Sequence, residues 1–369
     1  MDLDFTSDQE DLRDAMRAVL TRESPVALAR AVTEGRDNAD ALWHTVCELG
    51  WPALTVPEAH GGLGASVIEA GLLAEELGRV VAPGPLLTTV TQFVPLVRTC
   101  GYDAQQARWL GAVAAGECRA TAALEGVANV STSATAIGAT ARRGDDTVRL
   151  DGACRWVAEA DGADEIACVV QLDGEPAVVV VPGEAVKVTP VDSIDGSRRH
   201  GHVVLDDVEL PADRVLANTS AEGLRDALDE ATVALALETV GVCSALFETT
   251  LEYARQREQF GKPIGSFQAI KHKLADLFIV IERARSIGYY AALCVAEHDE
   301  RRHVAVSAAK AAAGDAQASC GKEGIQIHGG IGYTWEHDVH LYVKRAKVND
   351  LCLGSAGAHR ARIADLLNV

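Results

Sequence analysis

The residues best suited to chemistry lie in the stretch RQREQFGKPIGSFQAIKHKLAD, Arg255–Asp276. An apolar helical face carrying Leu246 and Leu251 leads into it. Gly261-Lys262-Pro263 must break that helix, because glycine releases φ and proline has no N–H to donate; the helix restarts near Ser266. Arg257 and Gln268 flank the break and Phe260 sits at its lip. A planar cation, an amide and an aromatic ring at a helix break suit a ligand that carries both phosphate and a ring system. The same residues also fit a plain helix–helix corner with a solvated arginine, and side-chain type alone leaves both readings open.

The elements that must hold these residues fall into three textures. Up to about residue 115 the chain reads as helical. A first helix starts around Thr6-Ser7-Asp8-Gln9 with Ser7 as its cap, and Leu12, Met16 and Leu20 recur along it at helical spacing. Further helices are expected over Ala41–Leu49, Val67–Leu77 and Gln105–Ala115, with a loop at Pro57 and Gly61-Gly62. From Arg119 to about Ala212 short β-branched runs (TVRLDGACRWV, EIACVVQL, PAVVVVPG, HVVLDDVEL) alternate with Gly, Asp and Pro, the pattern of a β-barrel or sandwich. Long Ala/Leu-rich helices then run over Arg225–Arg257, Phe267–Glu297 and Arg302–Ile327. A final helix runs from Asp338 to Leu367 and is irregular near Gly354-Ser355-Ala356-Gly357.

Composition bounds the possibilities. The chain has 369 residues, of which 48% are hydrophobic and 24% charged, ordinary values for a globular protein with a sizeable core. A formal net charge of −19 argues against nucleic acid or an anionic membrane surface as a partner. Nine dispersed cysteines, with no CxxC and no cysteine–histidine spacing, read as reduced thiols in a cytoplasm and offer no metal site. The acidic start MDLDFTSDQEDL fits neither a signal nor a transit peptide, and no apolar run is expected to reach the ~18 residues of a membrane span.

The spacing RxxFGxxxGxFQxxxxxLAD from Arg257 to Asp276 resembles the signature of the acyl-CoA dehydrogenase family. QIHGGIGYTWEHDVHLYVKR (Gln326–Arg345) and LGWPALTVPEAHGGLG (Leu49–Gly64) are similar to two further family motifs, in the family's order. The resemblance implies an α+β multidomain fold. A helical domain over 1–117 comes first, then a middle β-barrel or sandwich domain over 118–215 and a four-helix bundle over 216–369. It also implies FAD laid across a subunit boundary. One subunit's β domain and final helix would hold the isoalloxazine, and the neighbour's last domain the pyrophosphate and adenosine.

The half lent to the neighbour matches the family. Arg257 would take the pyrophosphate, Phe260 would pack beside the flavin or its linker, and Gln268 would bond the adenosine side. Gln326, Gly329 and Gly330 would bring backbone N–H groups to phosphate or ribose, and Gln259 belongs to the same set. Gly329-Gly330 also reads simply as a helix-ending turn.

The half kept for the chain's own flavin departs from the family. The family's TEPxAGSD-like loop becomes LEGVANVS (Leu124–Ser131), without that Thr. The W-I-T-N-G motif becomes Trp156-Val157-Ala158-Glu159, with Ala158 in place of the hydroxyl.

The family's reaction also needs a carboxylate to take the α-proton of an acyl thioester while hydride leaves the β-carbon. The two family positions for that base fall on Leu353, followed by Gly354-Ser355, and on Ala231, followed by Thr232. Neither side chain accepts a proton. Asp350, Glu230 and Glu238 are the nearby substitutes, though each reads first as a solvated or capping carboxylate; Glu336 matches a structural family residue.

This pattern resembles the non-catalytic subunit of the α2β2 acyl-CoA dehydrogenases of actinobacterial steroid catabolism. The resemblance implies a chain that lends FAD contacts to a homologous partner, which brings the catalytic Glu. The complex would oxidise a steroid side-chain acyl-CoA to the 2,3-enoyl-CoA and pass electrons to an electron-transfer flavoprotein. Two alternatives remain at this level: an active homotetramer with a relocated base, and a non-enzymatic scaffold or acyl-CoA-binding protein.

Overall fold

A computed structural model describes residues 4–124 and 137–369. The first helical segment comprises α1 (Ser7–Glu23), α2 (Val26–Thr33), α3 (Asp40–Glu48) and α4 (Val67–Arg79). It continues with α5 (Leu86–Thr88), α6 (Val94–Cys100) and α7 (Asp103–Ala114). Thr6, not Ser7, caps α1: its hydroxyl accepts from the Gln9 N–H while the Gln9 side chain returns to the Thr6 N–H, a reciprocal capping box.

Two helical stretches lack a strong sequence signal. α2 has eight residues and no side-chain cap. The stretch from α5 through α6 is rich in β-branched residues, contains Pro95 and passes through a π-helical turn at Thr89–Phe93. Its side chains are almost all buried, so packing overrides its weak propensity.

The β segment contains β1 (Ala120–Ala123), β2 (Ala139–Arg143), β3 (Thr147–Ala158), β4 (Glu165–Leu172), β5 (Glu175–Pro182), β6 (Lys187–Val191) and β7 (His200–Pro211). These join in one mixed seven-stranded sheet, ordered β1-β4-β2-β3-β7-β6 with β5 on the free edge of β4. β1 and β2 run parallel to β4, and the other pairs are antiparallel. A continuous core of Val148, Leu150, Ile166, Val170, Val179, Val203 and Leu205 lies beneath it.

The last segment contains α8 (Ala221–Gln256), a short hairpin of β8 (Glu258–Gln259) and β9 (Lys262–Pro263), and then α9 (Gln268–Ala296), α10 (Arg302–His328), α11 (Val339–Leu351) and α12 (Ala356–Leu366). The expected single final helix is therefore two. Leu353 at φ 55° and Gly354 at φ 97° turn the chain left-handed between them, and the Ser355 hydroxyl caps α12.

By packing, the chain divides into two compact units. One is Met1–Asp37, Gly71–Pro83 and Thr232–Val369; the other is Asn38–Ala70 and Gly84–Ala231. In the first unit α4 and α8 touch backbone to backbone. A Cβ on Gly78 would lie 2.1 Å from the Glu238 carbonyl oxygen, and one on Gly241 would lie 1.9 Å from that of Glu75. α8 does carry an 18-residue window of mean hydropathy 1.5, long and apolar enough to cross a membrane, but 89% of that window is buried inside the protein. Its apolar character serves the core.

Candidate functional site

α8 stops at Gln256 because the next residues form a two-stranded hairpin, with Glu258 opposite Pro263 and Gln259 opposite Lys262. Its two-residue loop is Phe260-Gly261, at φ 56° and 75°, the pair of left-handed residues that a type I′ turn demands. The turn lifts Phe260 to 91% exposure, edge-on to Phe267 at 6.1 Å. Gly265 has a different role: a Cβ there would sit 2.9 Å from the Ala254 carbonyl oxygen, so its bareness lets the turn after β9 lie on α8. Arg257 is exposed and, among the described residues, its guanidinium is ion-paired to none. Gln268, the first residue of α9, is exposed too, whereas Gln259 turns its amide back onto the Glu258 carbonyl at 2.9 Å.

α10 ends at His328. Gly329 follows at φ 62°, ψ −139°, and its N–H returns to the carbonyls of Ile325 and Gln326. That N–H is spent on capping, so what Gly329 offers a ligand is a bare Cα. A Cβ on Gly329 or Gly330 would meet nothing within 4 Å, so Gly330 is not required by this chain's own packing. Gln326 is exposed one turn before them.

The two breaks come together at one end of the helical bundle. Ala254 of α8, Leu274 of α9 and Ile327 of α10 share one apolar cluster, with Leu251, Tyr253, Ile264 and Ile270 packed against it. Arg257, Phe260, Gln268, Gln326, Gly329 and Gly330 are thus presented by neighbouring elements. An unpaired guanidinium and two exposed amides form a donor set, and two open glycines leave room for close approach; together they fit the phosphates and sugar edge of a dinucleotide such as FAD.

The base positions hold no acid. Ala231 is buried, and Leu353 sits in the left-handed turn after α11. The substitute carboxylates are each engaged. Glu230 pairs with Arg98, one oxygen lying 2.5 Å from Nη2. Glu238 is fully buried, accepting from Arg345 at 3.0 Å and from the Asn349 amide at 2.9 Å. Asp350 Oδ1 accepts the Ala356 N–H at 3.3 Å and so caps α12, while Oδ2 lies 3.5 Å from Lys347 Nζ. Glu336 is exposed, and the Thr334 hydroxyl holds its carboxyl below the usual range.

The residue that sequence reasoning passes over is Lys310, which is 1% exposed on α10. Its ammonium donates to the Asp350 carbonyl at 3.0 Å and the Gly354 carbonyl at 2.8 Å, holding the α11–α12 turn closed; burial pushes its pKa down to about 8. A lone lysine in the run SAAKAAAGDA was the only available signal.

On the sheet, Trp156 (φ 56°) stands 57% exposed beside a β-bulge, edge-on to His202 at 5.6 Å. Ala158 has no hydroxyl to offer, and its carbonyl already accepts from Thr121 Oγ1 at 2.7 Å. Glu159 is buried against Arg199, and burial raises its carboxyl pKa. Of the LEGVANVS stretch only Leu124 is described; Glu125–Ser131 lie outside the described residues.

Comparison with known proteins agrees with this layout. Residues 6–117 match the acyl-CoA dehydrogenase N-terminal domain and residues 223–367 the C-terminal domain. Acyl-CoA dehydrogenase IpdE2 of Mycobacterium tuberculosis is 32% identical over 342 residues, 92% of this chain and 91% of that protein. Among solved structures, the ChsE4-ChsE5 complex of M. tuberculosis superposes with a TM-score of 0.90 at 27% identity, covering 100% of this chain and 99% of that one. A variant of the Tcur3481-Tcur3483 steroid ACAD superposes with a TM-score of 0.87 at 31% identity, covering 98% of each chain.

Proposed function

The chain belongs to the acyl-CoA dehydrogenase family of FAD oxidoreductases, and from that premise we propose that it is the non-catalytic subunit of a heteromeric steroid acyl-CoA dehydrogenase. One observation carries the reading. Both base positions are apolar, as Leu353 and Ala231, and the three substitute carboxylates, Glu230, Glu238 and Asp350, are each committed to a structural partner, while the lending residues around Arg257 stay exposed. Arg257 pairs with the pyrophosphate of the partner's FAD. Gln268 and Gln326 bond the adenosine half, Phe260 lies beside the linker, and Gly329-Gly330 let the ligand approach the backbone. FAD, when bound, supplies the hydride acceptor of the family's reaction. The homologous partner brings the catalytic Glu and the complete flavin pocket in an α2β2 assembly, and an electron-transfer flavoprotein takes the electrons. Support for a two-chain assembly and a steroid acyl-CoA substrate comes from the two solved relatives, one named as a ChsE4-ChsE5 complex and the other as a steroid ACAD.

A homotetramer with a relocated base is disfavoured because using Asp350, Glu230 or Glu238 as a base would first break a cap or an ion pair. The test is the visible absorbance of this chain purified alone and co-expressed with a homologous chain that carries a Glu at either base position. We expect a colourless chain alone and a yellow complex with one FAD per heterodimer. A yellow chain that bleaches on adding an acyl-CoA would overturn the reading.

A further inference from the structure

At the same end of the bundle Tyr253 and His328 face each other as a stacked pair, with ring centroids 4.4 Å apart and planes at 24°. Tyr253 lies one turn before Arg257, whose N–H donates to the Tyr253 carbonyl at 2.8 Å. His328 closes α10 directly before Gly329. The Tyr253 hydroxyl donates to the His328 carbonyl oxygen at 3.3 Å. Since a peptide unit is planar, this bond also fixes the plane that leads into Gly329. His328 is 3% exposed; its Nδ1 meets the Gly324 carbonyl at 2.8 Å and must be the donor, which leaves Nε2 as the unprotonated nitrogen. That Nε2 is buried and has no hydrogen-bond partner among the described residues. His337 stands against both rings, 4.7 Å from His328 and 6.3 Å from Tyr253.

A leucine or phenylalanine at 328 would fill the same core space without stranding a nitrogen. The imidazole adds a flat face for Tyr253 and an N–H that ties the ring to its own helix. We propose that Tyr253 and His328 are positioning residues for the cofactor clamp: their stack and the hydroxyl–carbonyl bond set the separation between Arg257 and the Gly329-Gly330 turn. FAD spanning the two breaks then meets the guanidinium-bearing backbone and the open glycines at a preset spacing, which leaves less ordering to be done on binding. The inference rests on the reading that this chain lends those residues to FAD.

The test uses the co-expressed complex, stripped of flavin and titrated with FAD by flavin fluorescence, with the acyl-CoA KM and thermal midpoint measured alongside. Tyr253→Leu removes both ring face and hydroxyl, and we expect FAD affinity to fall about tenfold, one 1.4 kcal/mol step, with KM for the acyl-CoA unchanged. Tyr253→Phe keeps the ring, and we expect it to recover about half of that loss on the logarithmic scale. Arg257→Ala is the control for the underlying reading. If Arg257→Ala weakens FAD while both Tyr253 variants bind it like the wild type, the pair is merely structural and the inference fails. If Arg257→Ala leaves FAD affinity unchanged, the lending reading fails and this inference goes with it. Should Tyr253→Leu not assemble, Tyr253→Phe decides alone: wild-type affinity refutes the positioning role, and a severalfold loss supports it.

Discussion

Two breaks between helices in the last segment use the same backbone device and end in opposite states. After α8 the chain turns through Phe260 and Gly261 at φ 56° and 75°; after α11 it turns through Leu353 and Gly354 at φ 55° and 97°. Each pairs a bulky apolar residue in the left-handed region with a glycine, a combination that costs conformational energy and so needs its surroundings to hold it. At the first break the polar groups are left over: Arg257 and Gln268 are exposed, as is Gln326 at the adjoining end of α10. At the second they are consumed by the chain itself. Lys310 takes the Asp350 and Gly354 carbonyls, His359 Nε2 meets the Leu353 carbonyl at 2.9 Å, Asp350 takes the Ala356 N–H and Ser355 takes that of Ala358. A turn that satisfies its own donors and acceptors is a structural joint, whereas one that leaves a guanidinium and amides unspent is prepared for something from outside.

The comparison is sharpest where it predicts opposite phenotypes. Arg257→Ala removes a charged contact and no packing. FAD affinity of the complex should fall by roughly 1.5–3 kcal/mol, the worth of a hydrogen bond to a charged group, with the thermal midpoint of the flavin-free complex unmoved. A lowered midpoint with unchanged flavin binding would make the first break a joint as well.

Lys310→Met should do the reverse, lowering stability by about 1–3 kcal/mol through the carbonyls left buried and unbonded, with flavin affinity intact. It also carries a pH signature. Lys310 titrates at about 8 when folded against an ordinary value of 10.5, so between those values the unfolded chain binds more protons and stability rises with pH. Above pH 10.5 both forms are neutral and the gain is complete; below pH 8 both are charged and it is absent. The wild type should therefore gain stability relative to Lys310→Met as pH climbs through this window. Urea midpoints measured at pH 7.5, 9 and 10.5 would check it, and parallel curves would remove the buried cation from the account.

The smallest effect is expected from Asp350→Asn. An amide oxygen caps α12 as well as a carboxylate does, so turnover of the complex should be nearly unchanged; Asp350→Ala, which loses the cap, should cost about 0.5–2 kcal/mol of stability. A thousandfold loss of turnover in Asp350→Asn would identify it as the base and move catalysis to the second break.

Much of this was legible in the sequence because it is local. The α, β, α order, the break at Gly261-Lys262-Pro263 and the irregularity at Gly354 follow from residues whose φ, hydrogen bonding or branching decides the backbone on the spot. The helices around the π turn were not legible, since burial and not propensity forms them, and α2 is only eight residues long with no side-chain cap to mark its start. The single long final helix was a misreading for a related reason: the left-handed state of Leu353, a residue that seldom adopts it, is imposed by Lys310 and His359 from elsewhere in the chain.

The sequence by itself determined that no acid stands at Leu353 or Ala231 and that an arginine, amides and glycines cluster at two breaks, because residue identity needs no coordinates. Only the tertiary structure decided which groups are free to act. Glu230 is committed to Arg98 across 132 positions, Glu238 to Arg345 across 107, and the carbonyls of the α11–α12 turn to Lys310 across 40 and 44. Backbone breaks are written in local φ and N–H chemistry, but the availability of a charge depends on a partner that only folding brings within reach.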